Sequence, residues 1–209
     1  MTCIKQYIDS SITIPDITSR DSAIEFSIIS QIKEIQVVDT SDTRATDYKG
    51  LGVTLVQNGS TNCCYLGLCG QASIAMMVNY YKGTTLTAKN VHDAYKCLTS
   101  NYHNEQKAAL VGYGLTVTGP NRVFTYPNIK SNINANTLLL LDLQTASNAH
   151  NVVVRGYYSN TSDPKLYFYH IDPNTGDNIC SLPANAYDPV VVPLGGYNYI
   201  VDCYITGKA

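Results

Sequence analysis

The stretch Leu68-Cys69-Gly70-Gln71-Ala72-Ser73-Ile74-Ala75-Met76-Met77-Val78-Asn79-Tyr80-Tyr81-Lys82-Gly83 decides how this chain is read. Good helix formers on a mainly apolar surface predict a helix from Cys69, and Gly83 closes it. The free N–H groups and dipole of a helix start favour a thiolate, so Cys69 stands where a cysteine nucleophile is best supported. Gly70 behind it has no side chain to obstruct a substrate. A free cysteine is most often a small buried hydrophobe, so position alone does not make Cys69 catalytic.

Downstream of this helix, TAKNVHDAYKCLTS reads as a second helix packed on the first, with Thr87 or Asn90 as its cap. Beyond Gly112 the texture changes to YGLTVTG, NTLLLLDLQ, HNVVVRGYY, PKLYFYHID and YNYIVDCYITG. These short runs, rich in Val, Leu and Tyr and bounded by Asn, Asp, Pro and Gly, predict an antiparallel sheet or partial barrel. The fold class expected is α+β, a helical lobe against a sheet lobe. Upstream, SRDSAIEFSIISQIKEIQ reads as a helix, DTSDTRATDYKGLG as a polar connector and GVTLVQ as a short strand ending at Asn58-Gly59. Residues 1–50 are expected to form an extension or cap, and residues 51–209 the catalytic domain.

Two strand ends supply partners for the thiol. His150 opens HNVVVRGYY after the polar turn TASNA, so its imidazole can emerge at the sheet edge and take the thiol proton. Asp172 ends PKLYFYHID, and the polar turn SNTSD makes these two strands a hairpin. The start of one strand then lies beside the end of the other, which brings His150 and Asp172 together, as the orienting logic of a triad requires. Taken singly, His150 reads as a hydrogen-bonded strand residue and Asp172 as a turn-starting aspartate. His170, embedded in YFYHI, is the rival base. His92 on the second helix and His103 in a polar loop read as solvated.

The run CGQASIAMMVNYYKG resembles the nucleophile helix of bacterial papain-like peptidases related to the double-glycine leader peptidases, with Gln71 where that pattern has proline. AHNVVVRGYY resembles the family's histidine strand, HIDPNTG its aspartate turn, and PNIKSNINANTLLLLDL the helix and strand before the histidine turn. The resemblance runs from about Gly52 to Gly176, and it implies a papain-like fold with Cys69, His150 and Asp172 as the triad. It also implies a glutamine before the nucleophile as oxyanion donor, a contribution of about 3 kcal/mol. Gln57 is the upstream candidate, with Asn62 as the alternative. Because Gln57 stands at the papain-like distance from Cys63, Cys63 competes as nucleophile, and Cys69 is preferred because the helix begins there. By analogy, Gly70, Ser147 and Asn148 line the substrate groove.

Composition narrows the function. The chain has 209 residues, 44% of them hydrophobic and 14% charged, enough apolar surface for one packed catalytic domain. A net charge of -2 gives no basic face for nucleic acid or an anionic membrane. No apolar run reaches the roughly 20 residues of a membrane span, and the start lacks the core of a signal peptide. A cytoplasmic location, or delivery without a classical signal peptide, is expected. Seven cysteines without regular spacing do not form a secreted disulfide framework, and Cys63, Cys64 and Cys69 lack the paired spacing of a zinc site. The expected function is a cysteine peptidase acting on a peptide or isopeptide bond of a peptide or protein substrate, without metal or cofactor, as an effector or processing enzyme. An acyltransferase using the same three residues and a non-catalytic binding module remain the alternatives.

Overall fold

The computed structural model describes residues 46–59, 67–96, 98, 103–160, 163–183 and 188–209. All of them belong to the compact unit Ala45–Ala209. The helix expected between residues 19 and 36 lies outside the described residues. The architecture is α+β, with helices packed against an antiparallel sheet.

Helix α1, Cys69–Lys82, forms as its composition predicts, buries every residue from Cys69 to Val78 and ends on Gly83 in the left-handed conformation. Helix α2, Ala88–Tyr95, starts at a capping box in which Thr87 accepts from the Asn90 backbone and the Asn90 side chain returns to Thr87. The two expected caps therefore act as one device. Helix α3, His103–Gly112, occupies a segment expected to be a polar loop, and helix α4, Tyr126–Asn134, carries Pro127 in its first turn.

The described strands are β1 (Thr46–Gly50), β2 (Thr116–Asn121), β3 (Leu138–Gln144), β4 (Ala149–Asn160), β5 (Asp163–Asp172), β6 (Gly176–Ser181), β7 (Val191–Leu194) and β8 (Tyr197–Lys208). They pair in the order β2-β8-β3-β4-β5-β6, with β1 also on β4 and β7 on β8. Residues 46–50 thus belong to the sheet and not to a connector, whereas GVTLVQ, expected as a strand, has no regular structure. Leu51 turns the chain off the sheet while still donating to the Arg155 carbonyl at 2.7 Å.

The continuous apolar run of β3 reflects burial on both faces, since Leu138 to Leu143 are all buried. Pairing fixes the two faces. Leu138, Leu140 and Asp142 stand in register with Gly207, Ile205 and Cys203 of β8, and Asp142 also with Asn151 of β4. A β-carbon on Gly207 would lie 2.7 Å from Met77 of α1, so this is the face against that helix. Leu143, in register with His150, belongs to the other face. Core packing there includes Phe124 against Phe168 and Tyr204, with centroids 5.2 and 5.7 Å apart.

Candidate active site

Cys69 is the first residue of α1, and its backbone approaches the sheet closely. A β-carbon at Gly70 would sit 1.6 Å from the Leu98 carbonyl oxygen and 3.2 Å from Asn151 Oδ1. The glycine expected to line the substrate groove is instead buried, and its missing side chain leaves room for the Leu98 backbone. Gln71, where the resembled pattern has proline, is also buried and donates to the Lys96 carbonyl at 2.7 Å. This ties the start of α1 to the end of α2 at Lys96, a residue at φ 62°.

The expected β4–β5 hairpin forms, with Val153 opposite Ile171. Its consequence is a 2.7 Å contact between His150 Nε2 and Asp172 Oδ1. Asp172 is held in turn by the Asn174 backbone N–H at 2.9 Å and the Thr175 hydroxyl at 2.7 Å. With Nε2 engaged by Asp172, Nδ1 is the ring nitrogen left for a second partner. Burial pulls the imidazole pKa down, but the hydrogen bonds with Asp172 and Cys69 and their charges outweigh it and raise it to about 9. Burial likewise pushes the Asp172 carboxyl up, and the bonds from His150, Asn174 and Thr175 overcome it to leave it below its ordinary value.

The structure places Asp172 against His150, and Cys69 close enough to His150 to influence its charge. Cys69 is 3% and His150 6% exposed. His170, the rival base, is fully buried, has no hydrogen-bond partner on either ring nitrogen among the described residues, and is driven by burial down to about 4.

Gln57 is exposed, and its neighbour Asn58 is clamped beside Leu68. Asn58 Oδ1 accepts from Leu68 N at 2.6 Å, Leu68 N also reaches the Gly59 carbonyl at 3.0 Å, and Asn58 N donates to the Pro173 carbonyl at 2.9 Å. Gly59 and Leu68 are thus held together, and Asn58, the residue after Gln57, is tied both to Leu68 and to the turn after Asp172. Asn62, Cys63 and Cys64 lie outside the described residues. Ser147 is exposed and Asn148 half-buried in the β3–β4 turn, where the Thr145 hydroxyl accepts from the Ser147 and Asn148 backbones.

Three residues of this neighbourhood went unread in the sequence. Tyr199 packs on the His150 ring at 5.7 Å. Asn151 Oδ1 lies 4.0 Å from Cys69 Sγ, and Asn58 is the clamp just described. Asn58 had a signal, the Asn-Gly turn, and Asn151 had its place after His150, which alternation puts on the face against the helices. Tyr199 had none. His92 and His103, expected to be solvated, are respectively buried and paired with the buried Asp142. No helix among the described residues is long and apolar enough to cross a membrane.

No protein-family model matches the sequence, and no curated protein matches it. Among solved structures, the chain is similar to a double glycine motif protease from an AMS/PCAT transporter, in complex with the leader peptide, with a TM-score of 0.46 and 17% identity over 77% of this chain and 94% of that one.

Proposed function

We propose that this protein is a papain-like cysteine peptidase in which Cys69 is the nucleophile, His150 the acid and base, and Asp172 the orienting group. The observation that carries the reading is the 2.7 Å bond from His150 Nε2 to Asp172, which leaves the other ring nitrogen for a sulfur at a helix start. A solvated strand histidine has no need of a buried carboxylate that is itself held by two further donors.

The chemistry is acyl transfer to water. The Cys69 thiolate adds to a peptide or isopeptide carbonyl, and the oxyanion is met by the Cys69 backbone N–H and the Gln57 amide. The His150 imidazolium gives its proton to the departing amine as the C–N bond breaks, leaving a thioester. Neutral His150 then takes a proton from water, whose oxygen attacks the thioester and releases the acid and the sulfur. Ser147 and Asn148, on the turn preceding His150, are the substrate-contacting residues of this reading. The substrate is a peptide or protein.

The test is mass spectrometry of a mixed peptide library incubated with wild type and Cys69→Ala, with and without a primary amine. Fragments from the wild type alone are expected, with a loss in the variant on the order of 10^6-fold, the scale of removing a triad nucleophile. Amine-linked products in place of acids would make the enzyme an acyltransferase. Cleavage by neither protein would leave a binding module, and equal cleavage by both would remove Cys69 from the chemistry.

A further inference from the structure

A second cluster of chemically active side chains lies behind the candidate active site, built by topology from residues 103, 142, 202 and 203. The His103 ring, at the start of α3, has its Nε2 3.6 Å from Cys203 Sγ and 3.5 Å from Asp202 Oδ2. One ligand atom from each of these three residues fits within a mutual separation of 4.8 Å. The other ring nitrogen, Nδ1, is paired with Oδ2 of the fully buried Asp142, which also stands 3.4 Å from Cys203 Sγ.

Adjacent residues of a regular strand point to opposite faces, so Asp202 and Cys203 should not both reach one histidine. They do so because β8 is irregular at this point. Asp142 pairs with Cys203 while Leu143 pairs with Val201, and Asp202 is the extra residue of a bulge. Bulges re-aim side chains in this way and recur beside functional sites. Arg122 bonds Oδ1 of Asp202 at 2.7 Å, which leaves Oδ2 as the oxygen toward His103.

We propose that His103, Asp202 and Cys203 form a zinc site, with Nε2, Oδ2 and Sγ as ligands and Asp142 as the carboxylate that orients the histidine. A tetrahedral zinc ion with Zn–S of about 2.3 Å and Zn–N or Zn–O of about 2.0 Å holds its ligand atoms about 3.3–3.5 Å apart. The separations from Nε2 to Sγ, 3.6 Å, and to Oδ2, 3.5 Å, stand slightly above those edges, and with Sγ also 3.7 Å from Nδ1 a side-chain adjustment, not a change of fold, closes the shell. Imidazole, thiolate and carboxylate together suit zinc, whereas magnesium and calcium take oxygen donors. A carboxylate on the non-ligating nitrogen of a zinc histidine is a recurrent arrangement that fixes tautomer and ring orientation. The fourth position falls to water. The His103 and Asp202 side chains are both partly exposed, which gives the ion an approach from solvent. Asn151 Nδ2 donates to Asp142, and Asn151 Oδ1 faces Cys69, so the ion would brace the sheet end that supports the nucleophile.

The experiment is calorimetric titration of chelator-stripped, full-length Cys69→Ala protein with Zn²⁺, paralleled by Co²⁺ for its thiolate charge-transfer absorption. Removing Cys69 keeps the candidate nucleophile from acting as a ligand. One equivalent is expected to bind, with the thiolate band present. Adding Asp142→Asn should weaken binding about 10–100-fold, and adding His103→Gln or Cys203→Ser should weaken it more and, for Cys203→Ser, remove the band. Because Cys203 is buried and its variant can misfold, His103→Gln, at the partly exposed residue, is the deciding variant, with circular dichroism reporting the fold. Absence of near-stoichiometric binding, or undiminished binding by folded His103→Gln, would overturn the proposal.

Discussion

His150 is the residue on which the electrostatics of the site converge. Its imidazole titrates normally near 6.5 and is raised to about 9 here, because the bonds and charges of Asp172 and Cys69 exceed the opposing effect of burial. Below pH 9 the ring is therefore protonated in the folded protein, the form in which the proposed acid would donate to a leaving amine. As pH rises through 9 that proton is lost and turnover should fall. Replacing Asp172 with Asn removes the charge and the acceptor of the Nε2 proton, so the alkaline limb of kcat/KM should move to lower pH and the rate should drop by about 10^4. A limb that stays in place in Asp172→Asn would show that the carboxylate does not tune the base.

Among the elements, α1 depends on a single missing β-carbon. Gly70 lets the Leu98 carbonyl stand where a methyl group would be, 1.6 Å from an ideal Cβ. Gly70→Ala must push α1 away from that backbone, at a cost of about 1–3 kcal/mol typical of overpacking, and thermal denaturation would read it. An unchanged midpoint would contradict the close approach. The sequence disclosed α1, the capped start of α2 and the β4–β5 hairpin because each carries local signals: a run of helix formers, a capping box, and two β-rich runs about a polar turn. From that hairpin the His150–Asp172 contact followed. Helix α3 escaped because HNEQKAALVG shows weak apolar periodicity and follows a polar stretch, and β1 escaped because TDYKG acquires its strand character from pairing with β4. The role of Gly70 and the His103 cluster depend on contacts between distant segments, which no local pattern encodes.

At the scale of the whole molecule, stability should be bracketed by two histidines. His150, with a raised pKa, contributes stability that is complete below its unfolded value near 6.5 and is lost as pH rises through 9. His170 acts in the opposite sense. It is fully buried without a hydrogen-bond partner among the described residues and is lowered to about 4, so the folded state resists the proton that the unfolded chain takes up near 6.5. The penalty grows as pH falls from 6.5 and reaches about 3 kcal/mol near pH 4, at about 1.4 kcal/mol per pH unit. Denaturant titrations should place the stability maximum near pH 6.5, and His170→Leu should flatten the acid side. An acid slope equal to that of the wild type would contradict this assignment.

If His150 activates Cys69 as proposed, a reagent must still reach a sulfur whose residue is only 3% exposed. The most direct measurement is the rate of iodoacetamide alkylation of each cysteine at neutral pH, resolved by peptide mass spectrometry, in wild type and His150→Ala. Cys69 should react faster than the other six thiols and lose that advantage in His150→Ala. Equal reactivity among the seven, or a Cys69 rate indifferent to His150, would contradict it.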